Sequence, residues 1–296
     1  EQSMSLSVKN LRDGDSRAVF KNTNLDLQFY KRLRMFVHME NDLNENDKVS
    51  AFIRLGTDLT DNYYEVEVKE LKATDPGSVS KTTPEPEKVW PQENEFDVPF
   101  NELRRVKTER DRVAAALTVP YTIEVPDETI AGKSYKITVV GRPDLSAVMA
   151  VMIGMRNPKS ADEQPKSFKI WVDELRAHDF DQTSGGAAVG KLNLKLADFA
   201  TVQVTGGFRN FGFGGVQDKI SQRARETTTE YGIAANIQLD KLLPEKWGIK
   251  LPMYVTYDHR NIKPHFNPLD PDVPLETSLQ NLPDAARRDA YRKLVE

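Results

Sequence analysis

The chain has 296 residues, no cysteine, and 41 Lys plus Arg against 45 Asp plus Glu, a formal charge of -4. Near-balanced charge excludes the dominant basic patch of a duplex nucleic-acid binder, and the missing cysteines exclude disulfide frameworks, thiolate zinc sites and cysteine nucleophiles. No apolar run approaches the roughly 20 residues of a membrane helix, yet spanning β-strands stay open because their hydropathy signal is much weaker.

Taken in order, the first part shows period-two alternation, the pattern of strands with one buried face. Met4, Leu6 and Val8 alternate with serines, and Leu33, Met35, Val37 and Met39 alternate with Arg34, His38 and Glu40. Val49, Ala51, Ile53 and Leu55 follow, and Tyr64, Val66 and Val68 alternate with Glu65, Glu67 and Lys69. Later members are Phe96-Val98-Phe100, Tyr135-Ile137-Val139, the apolar run over 147–155, and Phe168-Ile170-Val172. About eight such strands predict a β-sandwich of jelly-roll type over residues 1–182. Two segments interrupt it. Residues 72–91, rich in Thr, Pro, Ser and Glu, predict a loop. Residues 101–117 place Leu103, Val106, Arg110, Val113 and Leu117 at helical spacing, predicting an amphipathic helix on the sandwich.

Ten of the 16 glycines lie between positions 185 and 248, and no proline lies from 166 to 243, so composition changes near 180–186. Beyond it, over 186–262, the strands lengthen. Tyr231, Ile233, Ile237 and Leu239 fall on one face against Asn236 and Gln238; Ile249, Leu251 and Val255 oppose Thr256; Val202 and Val204 oppose Gln203, with Arg209 at the end of that run. About ten residues of near-strict alternation fit an outer-membrane barrel strand, apolar toward lipid and polar toward the lumen. On alternation alone a second soluble antiparallel sheet is the commoner explanation, since alternation does not distinguish lipid from a protein core and soluble sheets are far more frequent. Residues 263–296 carry Pro264, Pro268, Pro271 and Pro274 and then a candidate helix from about residue 284 to 295.

Candidate chemistry is thin. His259 and His265 match no compact metal motif, and the glycines at 206–207 and 212–215 lack the Gly-Lys-Ser/Thr of a phosphate loop. Asp173 and Glu174, as strand neighbours, are expected on opposite faces, so they do not form a glycosidase pair. Asp179 and Asp181 are a sparse calcium candidate, His178 follows the last sandwich strand, and Trp90 and Trp171 could stack a sugar. No catalytic residue, cofactor or metal is expected.

Particular strings carry more. Lys31-Arg32-Leu33-Arg34-Met35-Phe36-Val37-His38, Gly141-Arg142-Pro143-Asp144-Leu145-Ser146, Met152-Ile153-Gly154-Met155-Arg156-Asn157-Pro158, Ile170-Trp171-Val172-Asp173-Glu174-Leu175-Arg176, Leu196-Ala197-Asp198-Phe199-Ala200 and Asn267-Pro268-Leu269-Asp270-Pro271-Asp272 jointly resemble the SprA (Sov) family of Bacteroidetes. The resemblance implies a fragment of a giant outer-membrane β-barrel, the translocon of the type IX secretion system, which exports folded cargo and supports gliding motility at the cell surface. Its implied partners are outer-membrane lipid, secreted cargo and other secretion-system subunits, with no nucleic acid and no catalysis. Residues 187–260 then become barrel strands and 1–182 an inserted sandwich. Tyr231, Ile233, Ile237, Leu239, Ile249, Leu251 and Val255 would face lipid, and Gln203, Arg209, Asn236, Gln238 and Thr256 the lumen. The alternative is a carbohydrate-binding sandwich joined to a second soluble β-domain.

Overall fold

A computed structural model describes residues 3–40, 48–74, 89–113, 116–161, 163–181, 183–219, 222–279 and 284–295. The protein is mainly β. It divides into two compact units, Glu1–Asp181 with Asp270–Asp272, and Gln182–Leu269 with Val273–Glu296.

The first unit holds two sheets. One contains β1 (Met4–Leu11), β3 (Tyr30–Glu40), β6 (Ala73–Thr74), β7 (Phe96–Pro99) and β11 (Lys166–Phe180), in the order β1-β11-β3-β6 with β7 also paired to β3. The other contains β2 (Ser16–Leu25), β4 (Ser50–Gly56), β5 (Tyr63–Val68), β8 (Tyr121–Pro126), β9 (Ser134–Val140) and β10 (Val148–Arg156), in the order β2-β10-β4-β5-β9-β8. Their facing residues make one core: Leu33, Met35, Val37 and Met39 from β3 join Ile53, Leu55, Tyr64, Val66, Ile137 and Val139. Each large aliphatic side chain so buried contributes about 1.5–3 kcal/mol.

The unit is richer in strands than the alternation implies. β2 escapes the pattern because its side chains are mostly exposed on both faces, whereas β8 does alternate, with Tyr121, Ile123 and Val125 turned to the core and Thr122 and Glu124 exposed. β11 runs on to Phe180, so His178 lies within a strand, opposite Arg32. It does so through a bulge between Asp173 and Arg176, with Glu174 at φ 51°, which breaks the alternation expected of Asp173 and Glu174. The helix α1 (Phe100–Arg112) buries Phe100, Leu103, Val106, Lys107 and Arg110. It stops short of the predicted 117: Val113 is 59% exposed and the Leu117 carbonyl accepts from Gly141 N–H at 2.8 Å, drawing the chain toward the end of β9. Of the predicted loop 72–91, residues 75–88 lie outside the described residues; Ala73 and Thr74 pair in parallel with β3.

The second unit is built on a four-stranded antiparallel meander, β12 (Ala187–Leu196), β13 (Ala200–Arg209), β14 (Glu226–Gln238) and β15 (Pro252–Pro264). β12 and β13 join through a tight turn with Ala197 at φ 47°. β14 and β15 join through residues 239–251, which contain the short 3-10 turns Leu239–Leu242 and Glu245–Trp247. The helices α2 (Leu275–Leu279) and α3 (Asp284–Val295) follow.

Candidate functional site

The ladder register of the meander is unbroken, so residues line up in rows across its strands. Leu192, Val204, Ile233 and Tyr257 form one row across all four strands; Leu194, Val202, Ala235 and Val255 form the next, and Leu196, Ala200, Ile237 and Met253 a third. On the opposite face the rows read Asn193, Gln203, Ala234, Thr256 and Lys195, Thr201, Asn236, Tyr254. Directly paired residues point to one side of a sheet, so across these rows one face is aliphatic and aromatic and the other, Tyr254 apart, polar or small; farther along, the first face also carries His259 and Asn261. The apolar face is not covered by its own unit: Leu192, Ile233, Val255 and Tyr257 are 54%, 45%, 47% and 55% exposed. A contiguous exposed apolar surface of this kind marks contact with another protein or with membrane.

The structure places the sequence-selected residues as follows. Tyr231, Ile233, Ile237 and Val255 lie on the apolar face, and Gln203, Arg209, Asn236, Gln238 and Thr256 on the other. Leu239 lies in the 3-10 turn just past β14, and Ile249 and Leu251 precede β15. The ladder ends at the Gln238–Pro252 pair, where a prolyl nitrogen has no proton to donate. Tyr231 sits beside His259 at 5.0 Å and Tyr257 at 6.2 Å between ring centroids, opposite Gly206.

The remaining candidates are engaged structurally. His265 stacks on Phe211 with centroids 3.8 Å apart. Trp171 Nε1 donates to Glu40 at 2.6 Å and Trp90 packs edge-on to His38. Asp179 approaches His178 at 3.2 Å, and Asp181 N–H donates to the Phe29 carbonyl at 2.7 Å. Among the described residues no group of three or more His, Asp or Glu is arranged to hold a metal ion.

Charge networks in the first unit are what the sequence does not announce. Glu65 and Glu67 alternate with apolar residues and read as solvated, yet they are 5% and 3% exposed. Arg156 from β10 binds both of them, reaching Glu65 at 2.8 Å. Arg54 holds the other Glu65 oxygen at 2.7 Å, and Ser50 donates to Glu67 at 2.6 Å. Bridging by forked guanidinium groups satisfies carboxylates that burial would otherwise penalise. A second cluster forms on α1. Lys107, 1% exposed, donates to Asp272 at 2.7 Å, to the Pro143 carbonyl at 2.7 Å and to Asp270, while Tyr64 Oη donates to Asp272 at 2.7 Å. Burial pushes the Asp270 carboxyl up to about 7, against the opposing pull of Lys107. At a third, burial would raise Asp127, but hydrogen bonds from Tyr135, Thr129 and the N–H of Ile130 hold it well below the usual carboxylate range.

These networks give the quoted strings a physical reason. Gly141 has φ 63°, and a Cβ there would meet the Asp61 carbonyl at 1.9 Å, so only glycine fits. Two residues on, Pro143 supplies an acceptor to Lys107, and Leu145 is fully buried. Gly154 lies under the Phe52 ring, and Asn157 donates to the carbonyls of Leu11 and Gln164. Asp270 and Asp272 close on Lys107.

No curated protein matches the chain. A family model described as motility related/secretion protein, SprA_N, matches residues 1–279. The match spans both the networks of the first unit and the two-faced sheet of the second, and the chain belongs to this family of motility-related and secretion proteins.

Proposed function

We propose that the chain is part of a protein-conducting outer-membrane β-barrel that exports folded cargo in type IX secretion and gliding motility, with β12–β15 as a segment of the barrel wall. The observation that carries this reading is the register. It keeps an exposed aliphatic and aromatic surface on one side of four consecutive strands and polar or small residues on the other. Strands of 10, 10, 13 and 13 residues are long enough for a tilted crossing, which takes about 9–11. Every internal backbone group of β13 and β14 is in a position to pair with a neighbouring strand, as a span without water requires, and further strands would close the edges of β12 and β15. In this reading Ile233, Ile237 and Val255 face lipid, and Gln203, Asn236 and Thr256 face an aqueous lumen wide enough for a folded passenger. The first unit, a sandwich of jelly-roll type, is a soluble insertion offering surfaces to cargo or to other secretion-system subunits. The mechanism is passive: a polar wall lets cargo pass without binding it tightly, and no covalent chemistry is needed.

The absence of cysteine gives a clean test. Single-cysteine variants Ile233→Cys and Ala234→Cys, labelled with an environment-sensitive fluorophore in lipid bilayers, should respond oppositely. The label at 233 should be quenched by a lipid-borne quencher and the label at 234 by aqueous iodide. Equal aqueous quenching at both sites would overturn the assignment.

A further inference from the structure

We propose that the first unit carries a binding site for a single fatty-acyl chain with an anionic head. The site lies between the two sheets on the side where β1 ends one sheet and β2 ends the other. A cavity of about 380 Å³ opens there. Its floor is the core itself, Leu33, Ile53 and Leu55, exposed by only 5%, 0% and 1%. Its mouth is apolar as well: Val19 and Leu25 of β2 are 41% and 42% exposed.

Close-packed interiors leave few voids of this size, and the volume falls at the low end of small-molecule sites, about 300–1,000 Å³. An all-aliphatic floor suits one flexible hydrocarbon chain. The charge on the lining identifies the head. Lys21 and Arg176 both line the cavity, and among the described residues no carboxylate does. Arg176 is engaged by Glu174 at 2.7 Å, an exposed pair, so Lys21 is the principal counter-charge. Lys21 pairs with Val151 across the β2–β10 ladder, which puts its side chain on the cavity side of the strand, beside the aliphatic groups rather than away from them. A cation aimed at the rim of an apolar cavity complements a carboxylate or phosphate head on a chain whose tail fills the interior. Lysine pointing inward on an edge strand also serves to block strand pairing, and the experiment separates the two roles.

The full chain, held in amphipathic polymer so that detergent does not occupy the cavity, is titrated with dansyl-aminoundecanoate, which is then displaced by myristate, by lysophosphatidylglycerol and by uncharged tetradecanol. The expected result is saturable binding at one probe per chain, displaced by an anionic chain. Val19→Trp, at the mouth and away from the packed floor, should abolish it with the circular dichroism unchanged. Lys21→Met should weaken the anionic ligands about fivefold, the worth of an exposed ion pair, while leaving tetradecanol unaffected. Preference for myristate assigns a free acid and preference for the lysophospholipid a membrane lipid head. Unchanged probe binding in Val19→Trp overturns the site. So does a Lys21→Met variant that dimerises while its anionic ligands bind as before, because Lys21 is then an edge guard.

Discussion

Ile233 of β14 lies directly opposite Tyr257 of β15, and both side chains are about half exposed, 45% and 55%. A cross-strand pair of this kind normally stabilises a sheet by packing under a second layer. Here it belongs to a row that includes Leu192 and Val204. Ile233→Arg should therefore reduce assembly into lipid by about 2–4 kcal/mol if the site is near the bilayer midplane, whereas Ala234→Arg on the other face should be tolerated. Folding yield into liposomes across a urea series measures both; equal losses would remove the distinction between the faces.

The Lys107 cluster concerns stability of the first unit. Asp272→Ala leaves a nearly inaccessible ammonium with one carboxylate fewer and deprives Tyr64 of its acceptor. Removing one member of a buried ion pair costs about 3–5 kcal/mol. The measurement is the chemical-denaturation free energy of the first-unit transition, and a change below about 1 kcal/mol would show that Asp270 alone suffices.

Arg156 predicts a different kind of sensitivity. It reaches Glu65 and Glu67 together through separate guanidinium nitrogens, which a lysine ammonium does not reproduce. Arg156→Lys should cost about 1–3 kcal/mol despite keeping the charge. A double-mutant cycle with Glu65→Gln should show a coupling of at least about 0.5 kcal/mol, the mark of residues sharing one network.

Asp127 gives the pH dependence. Its folded-state pKa is depressed, so its contribution is present above the ordinary carboxylate value of 3.8 and is lost as pH falls below it. Tyr135→Phe removes the hydrogen bond at 2.6 Å and should lower stability by about 1–2 kcal/mol near neutrality. The gap between parent and variant should narrow below about pH 4. A gap that stays constant from pH 7 to pH 3 would assign the loss to packing rather than to the carboxylate.

Much of this architecture was legible because burial on one side of a strand leaves period two behind. Leu33, Met35, Val37 and Met39 are buried as their alternation predicts, and Tyr64, Val66 and Val68 likewise. The pattern failed where that physical cause was missing. β2 is exposed along nearly its whole length and carries Arg17 and Lys21, so nothing in its sequence alternates. The burial of Glu65 and Glu67 leaves no mark on the alternation, because Arg156, which covers both, is about 90 residues away in the chain. The bulge at Glu174 is likewise invisible to an alternation count. The two faces of β12–β15 could be read from sequence, but their alignment into rows depends on inter-strand register, which a single strand does not encode.

Asp270–Asp272 belongs to the first unit although 88 residues of the other unit, 182–269, come before it in the chain. The meander is thus an excursion between two pieces of the first unit's own fold. During synthesis, Lys107 waits for its carboxylates until all four long strands have been made. A chain truncated inside the meander leaves that lysine without Asp270 and Asp272, so an incomplete meander is accompanied by a destabilised first unit.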